Sequence, residues 1–251
     1  MIIYPSHDGT GMSDRKLSKS EAKRIEARSQ IMRAALRLFY VKGYDDTTTR
    51  DIVREAGILN GSLYNRFKSK DSILFNIVSD AMTAILDSSE KAFVTEKDLT
   101  KSLALPVAVE LYIAYSSPNL AGLIYHASQS WEAVDSMVDM YRGWLRSVWP
   151  DLFHGHLDGQ SFRLVLLAVI GGLGNVCGEY AHGYRGDYRD VLEGFLKSLA
   201  LMVNMPQFEA RKVAAELAEY VEGSDIRVCG YRISELDRLS AERRGRGRPR
   251  P

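Results

Sequence analysis

Between Thr47 and Lys70 the chain reads TTTRDIVREAGILNGSLYNRFKSK, and no other stretch constrains the fold as tightly. A threonine, Thr47 or Thr48, stands where a helix start needs a side-chain oxygen to accept an orphan N–H. Asp51 follows Thr48 by three residues, a capping-box-like spacing, and its charge suits the positive end of the helix dipole. Ile52, Val53 and Ala56 supply an apolar face, and Gly57 stops the helix where the backbone must turn with positive φ. After Ile58 and Leu59 come Asn60-Gly61-Ser62, then Leu63, Tyr64 and Phe67. Leu63 and Phe67 are four apart and share the buried face of a second short helix. Asn60, Ser62, Asn65 and Arg66 are left outward. This is the layout of a helix-turn-helix, whose second helix enters the major groove of DNA.

The flanks extend the pattern. Ile31, Ala34, Ala35, Leu38 and Phe39 predict a helix over about 21–41, ended by Gly43, and from Lys70 onward Ile73, Leu74, Ile77, Val78, Met82 and Ile85 keep helical spacing. Gly43-Tyr44, Thr47-Thr48, Arg50, Ile52, Ala56-Gly57-Ile58, Gly61, Leu63-Tyr64, Phe67 and Lys70, together with the Ile31–Phe39 stretch, resemble the N-terminal signature of the TetR/AcrR repressors. The resemblance covers residues 24–74. It implies that Thr48, Arg50, Asn60, Ser62, Tyr64, Asn65 and Lys70 meet DNA and that Gly61 lets the backbone come close. Arg50 can then read guanine bidentately, Asn60 or Asn65 can read adenine, and Tyr64 and Lys70 hold phosphates. One position departs: Leu59 stands where the family usually has a serine that caps the recognition helix, and Asn60 is the next residue able to cap.

Charge is unevenly spread. Residues 1–75 hold 14 Lys and Arg against 9 Asp and Glu, residues 76–240 hold 14 against 22, and residues 241–251 hold 5 against 1. Basic ends suit a polyanion, and an acidic middle keeps the remainder off phosphates. Strand-like alternation is hard to find, so the fold class expected is all-α: a three-helix DNA-binding domain followed by a helical ligand-binding and dimerisation domain. Cys177 and Cys229 form no metal or redox spacing and fit a reduced, cytoplasmic protein. Residues 1–12 lack the basic start and apolar run of a signal peptide, and the apolar run Leu164–Leu173, ten residues, is short for a membrane span.

The expected boundaries are a flexible basic arm over 1–20, the DNA-binding domain over 21–70, the ligand-binding and dimerisation domain over 71–205, a helical extension over 206–242 and an Arg/Gly/Pro tail over 243–251. Within the large domain, helices are expected near 102–116, 128–149, 160–182 and 187–204, with a break at Ser117-Pro118-Asn119. Glycines 171, 172, 174 and 178 inside one helix each cost up to about 1 kcal/mol against alanine, so something must offset them. Gly174 and Gly178 share a face. With Leu192, Phe195, Leu196 and Leu199 they resemble the family's two-fold dimer interface; close packing within one chain, or a kink beside a pocket, are the other readings. Nine aromatics between Tyr112 and Phe162 suit a cavity. The family likeness implies an effector pocket there, with Tyr112, Tyr115, Tyr125, His126, Gln129, Trp131, Glu132, Tyr141 and Trp144 as candidate lining.

No nucleophile–base pair, phosphate loop or zinc spacing is present; His154, His156 and Asp158 form a polar loop, and neither catalysis nor a metal or cofactor is expected. The reading is a ligand-responsive repressor that binds a palindromic operator as a homodimer. A small aromatic or polycyclic effector is expected first and an acyl-CoA second, because cations are not clustered in the middle domain. An activator, or a constitutive architectural factor without an effector, are the alternatives. The tail's Arg246-Gly247-Arg248-Pro249 resembles the core of an AT-hook, an extended segment for the narrow minor groove; a nonspecific phosphate-binding arm and a passive tail are the other readings.

Overall fold

The computed structural model describes residues 18–95, 97–151, 159–202 and 209–246. They form helices α1 (Lys19–Lys42), α2 (Thr49–Ala56), α3 (Asn60–Tyr64), α4 (Lys70–Ser89), α5 (Leu99–Ser116), α6 (Pro118–Ser128), α7 (Trp131–Val148), α8 (Gly159–Ala181), α9 (Tyr188–Met202), α10 (Ala210–Glu222) and α11 (Ile233–Arg246). A π-helical turn, Glu90–Val94, prolongs α4. The all-α expectation holds with one exception: β1 (Arg227–Val228) and β2 (Tyr231–Arg232) make an antiparallel hairpin in which Arg227 faces Arg232 and Val228 faces Tyr231. Strands this short leave no room for the alternation by which a strand is read from sequence.

The chain divides into two compact units: residues 82–225, and residues up to Ala81 together with those from Ile226 onward. The extension expected as one appendage over 206–242 is therefore split between them.

In the N-terminal unit, α1 opens on a capping box between Ser18 and Glu21 and ends at Gly43, whose φ of 98° only glycine adopts cheaply. Its inner face, Ile31, Ala35, Leu36 and Phe39, is buried. The α2 helix lies against it, fixed by Gln30 donating to the Ala56 carbonyl (2.8 Å) and by an Arg37–Glu55 ion pair. The first part of α4 is tied to α1 by a fork: Arg28 donates to both oxygens of Asp80 (2.7 and 3.0 Å) and to Asn76 Oδ1 (2.8 Å). From the far end of the chain, Cys229 (φ 48°) and Gly230 (φ 85°) form a two-residue turn, the positive-φ pair that closes a tight hairpin. Behind it α11 docks on α1, with Leu236 fully buried and the Tyr40 hydroxyl donating to Asp237.

In the other unit α5 carries Pro106 inside the helix, which removes the hydrogen bond to the Ser102 carbonyl. The Ser89 hydroxyl takes that carbonyl at 2.7 Å, and both serines are fully buried, so the missing bond becomes a joint between α4 and α5. The α6 and α8 helices make the most extensive pairing of this unit. The α10 helix covers α5 and α9 with Leu217 and Val221 inward, anchored by Lys101–Glu216 (2.6 Å) and by the Tyr188 hydroxyl on Glu222 (2.6 Å).

Candidate nucleic-acid interface and inner core

Thr48, not Thr47, caps α2: its hydroxyl accepts from the Asp51 N–H and the Asp51 carboxylate accepts from the Thr48 N–H, both at 3.1 Å. Thr47 is buried and donates to the Gly43 carbonyl. The hydrogen bond from Lys42, with those from Thr48, holds the Asp51 carboxyl well below the usual carboxylate range. Gly57 turns the chain at φ 63°. The α3 helix then starts at Asn60 with Leu59 as its N-cap, so Asn60 does not cap; Leu59 offers no side-chain acceptor and stands 80% exposed. Leu63 and Phe67 are buried under α3, and Arg50, Asn60, Gly61, Tyr64 and Asn65 point outward, with Ser62 half-buried among them. The Tyr64 hydroxyl lies 3.2 Å from Thr49 Oγ1, which links α3 to the start of α2. Arg66 donates to the Ser62 carbonyl on the same surface. Lys70, expected to hold a phosphate, donates from Nζ to the Tyr44 carbonyl (2.7 Å) and sits 4.1 Å from the centre of the Tyr44 ring, pinning the loop before α2 to the start of α4.

The expected effector residues are distributed over three places. Tyr112 and Tyr115 pack edge-on or tilted against Tyr188, and Tyr115 also meets Tyr180, so this pair braces α5 against the α8–α9 junction. Tyr125 lies in the α6–α8 groove and meets His182, with His126 half-buried beside it. Only Tyr141 and Trp144 enter the α5–α7–α8 core, around Val138, Leu145, Phe162 and Leu166. Gln129, Trp131 and Glu132 are on the surface; Trp131 is 62% exposed although its spacing puts it on the same face as the buried Val134 and Val138, because it is the first residue of α7.

Two polar residues of this core, Trp149 and Glu110, were not among the candidates, and they stand beside Arg142 and the candidate Trp144. Arg142 Nε and the indole N–H groups of Trp144 and Trp149 are buried and have no hydrogen-bond partner among the described residues. Glu110, on α5, has its carboxyl raised to about 7 by burial. Its charge adds to the burial that pushes up the Tyr141 hydroxyl on α7 and the Cys177 thiol on α8, so all three helices face it. The Tyr141 hydroxyl itself donates to the Leu103 carbonyl at 2.7 Å. Glu110 was legible as the single charge in the apolar run Leu103–Ala114.

Gly174 and Gly178, considered for a dimer interface, face α6 of the same chain. A Cβ on Gly174 would lie 2.2 Å from Ser128 Oγ, and one on Gly178 would lie 2.9 Å from the Tyr125 ring. Leu192 and Leu196 are likewise buried inside the chain, whereas Phe195 and Leu199 are partly exposed. The open side of α8 belongs to Leu164, Ala168, Gly171 and Asn175, and nothing lies within 4 Å of a Cβ placed on Gly171. Only 33% of the apolar stretch of α8, Phe162–Ala181, is buried; by length and composition alone that stretch is sufficient for a membrane span, more than its ten-residue core suggested. Leu164, Leu201 and Met202 are 64, 81 and 50% exposed. Among the described residues no group of three or more His, Cys, Asp or Glu is placed to hold a metal ion. His154, His156 and Asp158, the first seventeen residues of the basic arm, and residues 247–251 of the tail lie outside the described residues.

Residues 31–77 match the family of bacterial regulatory proteins named tetR. The chain is 23% identical over 181 residues to YvdT, an uncharacterised HTH-type transcriptional regulator of Bacillus subtilis, covering 67% of this chain and 92% of that protein. It is 42% identical over 53 residues to the HTH-type transcriptional repressor KstR2 of Mycolicibacterium smegmatis, covering 21% of this chain and 26% of the repressor. Among solved structures, the fatty acid degradation regulator FadR from Bacillus halodurans aligns over 84% of this chain and 98% of its own, at 15% identity and a TM-score of 0.47.

Proposed function

We propose, from the premise that this chain belongs to the TetR family of bacterial transcriptional regulators, that it is a cytoplasmic repressor which binds a palindromic operator as a homodimer and releases it on binding a small, largely aromatic effector. The observation that carries the reading is the α2–turn–α3 unit: a double cap at Thr48 and Asp51 and a positive-φ glycine seat Leu63 inward and leave Arg50, Asn60, Gly61, Tyr64 and Asn65 on one outward surface. Arg50 has the donor fork for a guanine edge, the asparagines can pair with adenine, and Tyr64 reaches a phosphate. Lys70 acts chiefly by fixing the loop before α2.

The dimer is formed by the outward faces of α8 and α9, where Leu164, Ala168, Gly171 and Leu201 are apolar or small and uncovered. Gly171, rather than Gly174, is the glycine that admits a second backbone. The effector enters the α5–α7–α8 core. Leaving a buried donor without a partner costs about 1–3 kcal/mol, and three donors in α7 and at its end have none among the described residues; an aromatic ligand carrying hydrogen-bond acceptors answers them. Helix α4 begins in one unit and ends in the other, gripped by Arg28 at Asn76 and Asp80 and by the Thr83 hydroxyl on Met140 Sδ of α7 (3.3 Å), so it is the route by which the effector biases the DNA-binding unit. The ligand shifts operator occupancy only by its differential affinity for the two states.

A gel shift on an operator selected from random DNA tests the reading. Arg50→Ala weakens binding by about 1–3 kcal/mol and relaxes one base position, and Leu164→Arg abolishes the dimer in sedimentation. Unchanged operator affinity for both Arg50→Ala and Tyr64→Ala refutes the docking.

A further inference from the structure

The C-terminal hairpin and α11 do more than cover α1. Between them and α1 lies an open cleft of about 630 Å³ whose lining includes Arg33, Arg227, Arg238, Tyr231, Glu235 and Leu239. Each arginine comes from a different element: Arg33 from α1, Arg227 from β1 and Arg238 from α11. Their positions are set by stiff parts of the fold. The positive-φ pair Cys229-Gly230 fixes the hairpin, and Arg227 Nη1 donates to the Gly230 carbonyl at 3.1 Å. Glu235, the single acid in the lining, accepts from the Arg232 backbone N–H at 2.8 Å and so caps the start of α11. Arg238 Nε donates to the Ser234 carbonyl at 3.4 Å, and Arg33 meets Glu26 at 3.2 Å in a pair that is open to solvent on both sides.

Three arginines against one acid give the lining a positive balance, and a surface ion pair such as Arg33–Glu26 is worth little. An anion in the cleft meets that balance and can use the planar donor forks, which match phosphate oxygens. The recess is also the size of a small-molecule site, and Tyr231 and Leu239 add a ring and an apolar wall on which a planar group can rest. Arg33 lies on the same side of α1 as Gln30 and Arg37, which hold the last turn of α2.

We infer that the Arg33–Arg227–Arg238 cleft is a binding site for a small organophosphate with a planar ring, of the nucleoside-monophosphate class, built by the C-terminal extension onto the DNA-binding unit. None of its lining residues is among the candidate operator contacts or the residues of the effector core.

Isothermal titration of the full-length protein, purified free of nucleic acid, with AMP and with inorganic phosphate tests it. AMP binds once per chain and at least tenfold more tightly than inorganic phosphate. The double variant Arg33→Gln, Arg238→Gln lowers AMP affinity at least tenfold, and Arg50→Ala leaves it unchanged. Arg33→Gln alone, at a solvent-exposed side chain, serves if the double variant does not fold as judged by its melting curve. Failure of AMP to bind at millimolar concentration, or equal affinity in the variants, overturns the site. Phosphate binding as tightly as AMP reduces it to a bare anion notch and overturns the ring-bearing ligand. Loss of operator affinity in the folded double variant, with no AMP binding by the parent, assigns the cleft to DNA phosphates instead.

Discussion

Replacing Glu110 by Gln removes the one charge between Leu103 and Ala114 and keeps the shape of the side chain. Burial raises the Glu110 carboxyl from 4.5 to about 7, so between these values the folded chain holds a proton that the unfolded chain releases. At 1.36 kcal/mol for each pH unit of displacement, the difference amounts to on the order of 3 kcal/mol. The sign follows from the proton count. The contribution of Glu110 to stability is fully present below pH 4.5, is lost as pH rises through 7, and is flat above. Tyr141 and Cys177, which face it from α7 and α8, are pushed upward and stay neutral throughout this window. The Asp51 carboxyl is held low, so its own stabilising effect is lost only in acid, outside the window. Asp87 is raised by burial as well, but it is common to parent and variant and cancels in their difference. The variant is therefore expected to match the parent near pH 4 and to exceed it by up to about 3 kcal/mol at pH 8. Urea unfolding followed by tryptophan fluorescence is the assay, because all three tryptophans, at 131, 144 and 149, belong to the unit that contains Glu110. Parallel stability profiles for the two proteins from pH 5 to 8 would mean that the carboxyl is solvated, and the reasoning would fail.

Three further outcomes are expected. Leu59→Ser supplies the missing cap of α3 and raises the stability of the N-terminal unit by about 1 kcal/mol, read as a higher urea midpoint by circular dichroism; an unchanged or lower midpoint contradicts the uncapped start. Gly178→Val drives a side chain into the Tyr125 ring and costs about 1–3 kcal/mol, whereas Gly171→Ala, which meets no atom of its own chain, does not lower the melting temperature of a monomer held at low concentration; equal costs at both positions would contradict the α6–α8 packing. Asp80→Ala breaks the Arg28 fork, destabilises the α1–α4 joint by about 2 kcal/mol and weakens the effect of effector on operator affinity, measured by anisotropy with and without ligand; full effector response in a stable variant argues against α4 as the route.

What the sequence determined by itself was the local grammar. Thr48 with Asp51, Gly57, and the pair Leu63 and Phe67 are contacts a few residues apart, and their spacing fixes caps, a positive-φ turn and a buried face without reference to the rest of the chain. Helix existence was equally legible, to within a few residues, because apolar periodicity and Pro118 or Gly43 are local signals. Tertiary structure decided which face of each helix meets which neighbour. Four glycines in α8 announce close approach, but only the rotation of the helix says that Gly174 and Gly178 receive Ser128 and Tyr125 while Gly171 is left open. Nine aromatics suit a cavity, yet Tyr112, Tyr125 and Tyr141 sit on helices whose inward directions differ, and they end in three places. The division of the C-terminal extension is the most distant case. Asp237 finds Tyr40 of α1, 197 residues earlier, and α11 docks on α1 behind a hairpin too short to show a period; only the folded chain can bring Arg33, Arg227 and Arg238 to one cleft.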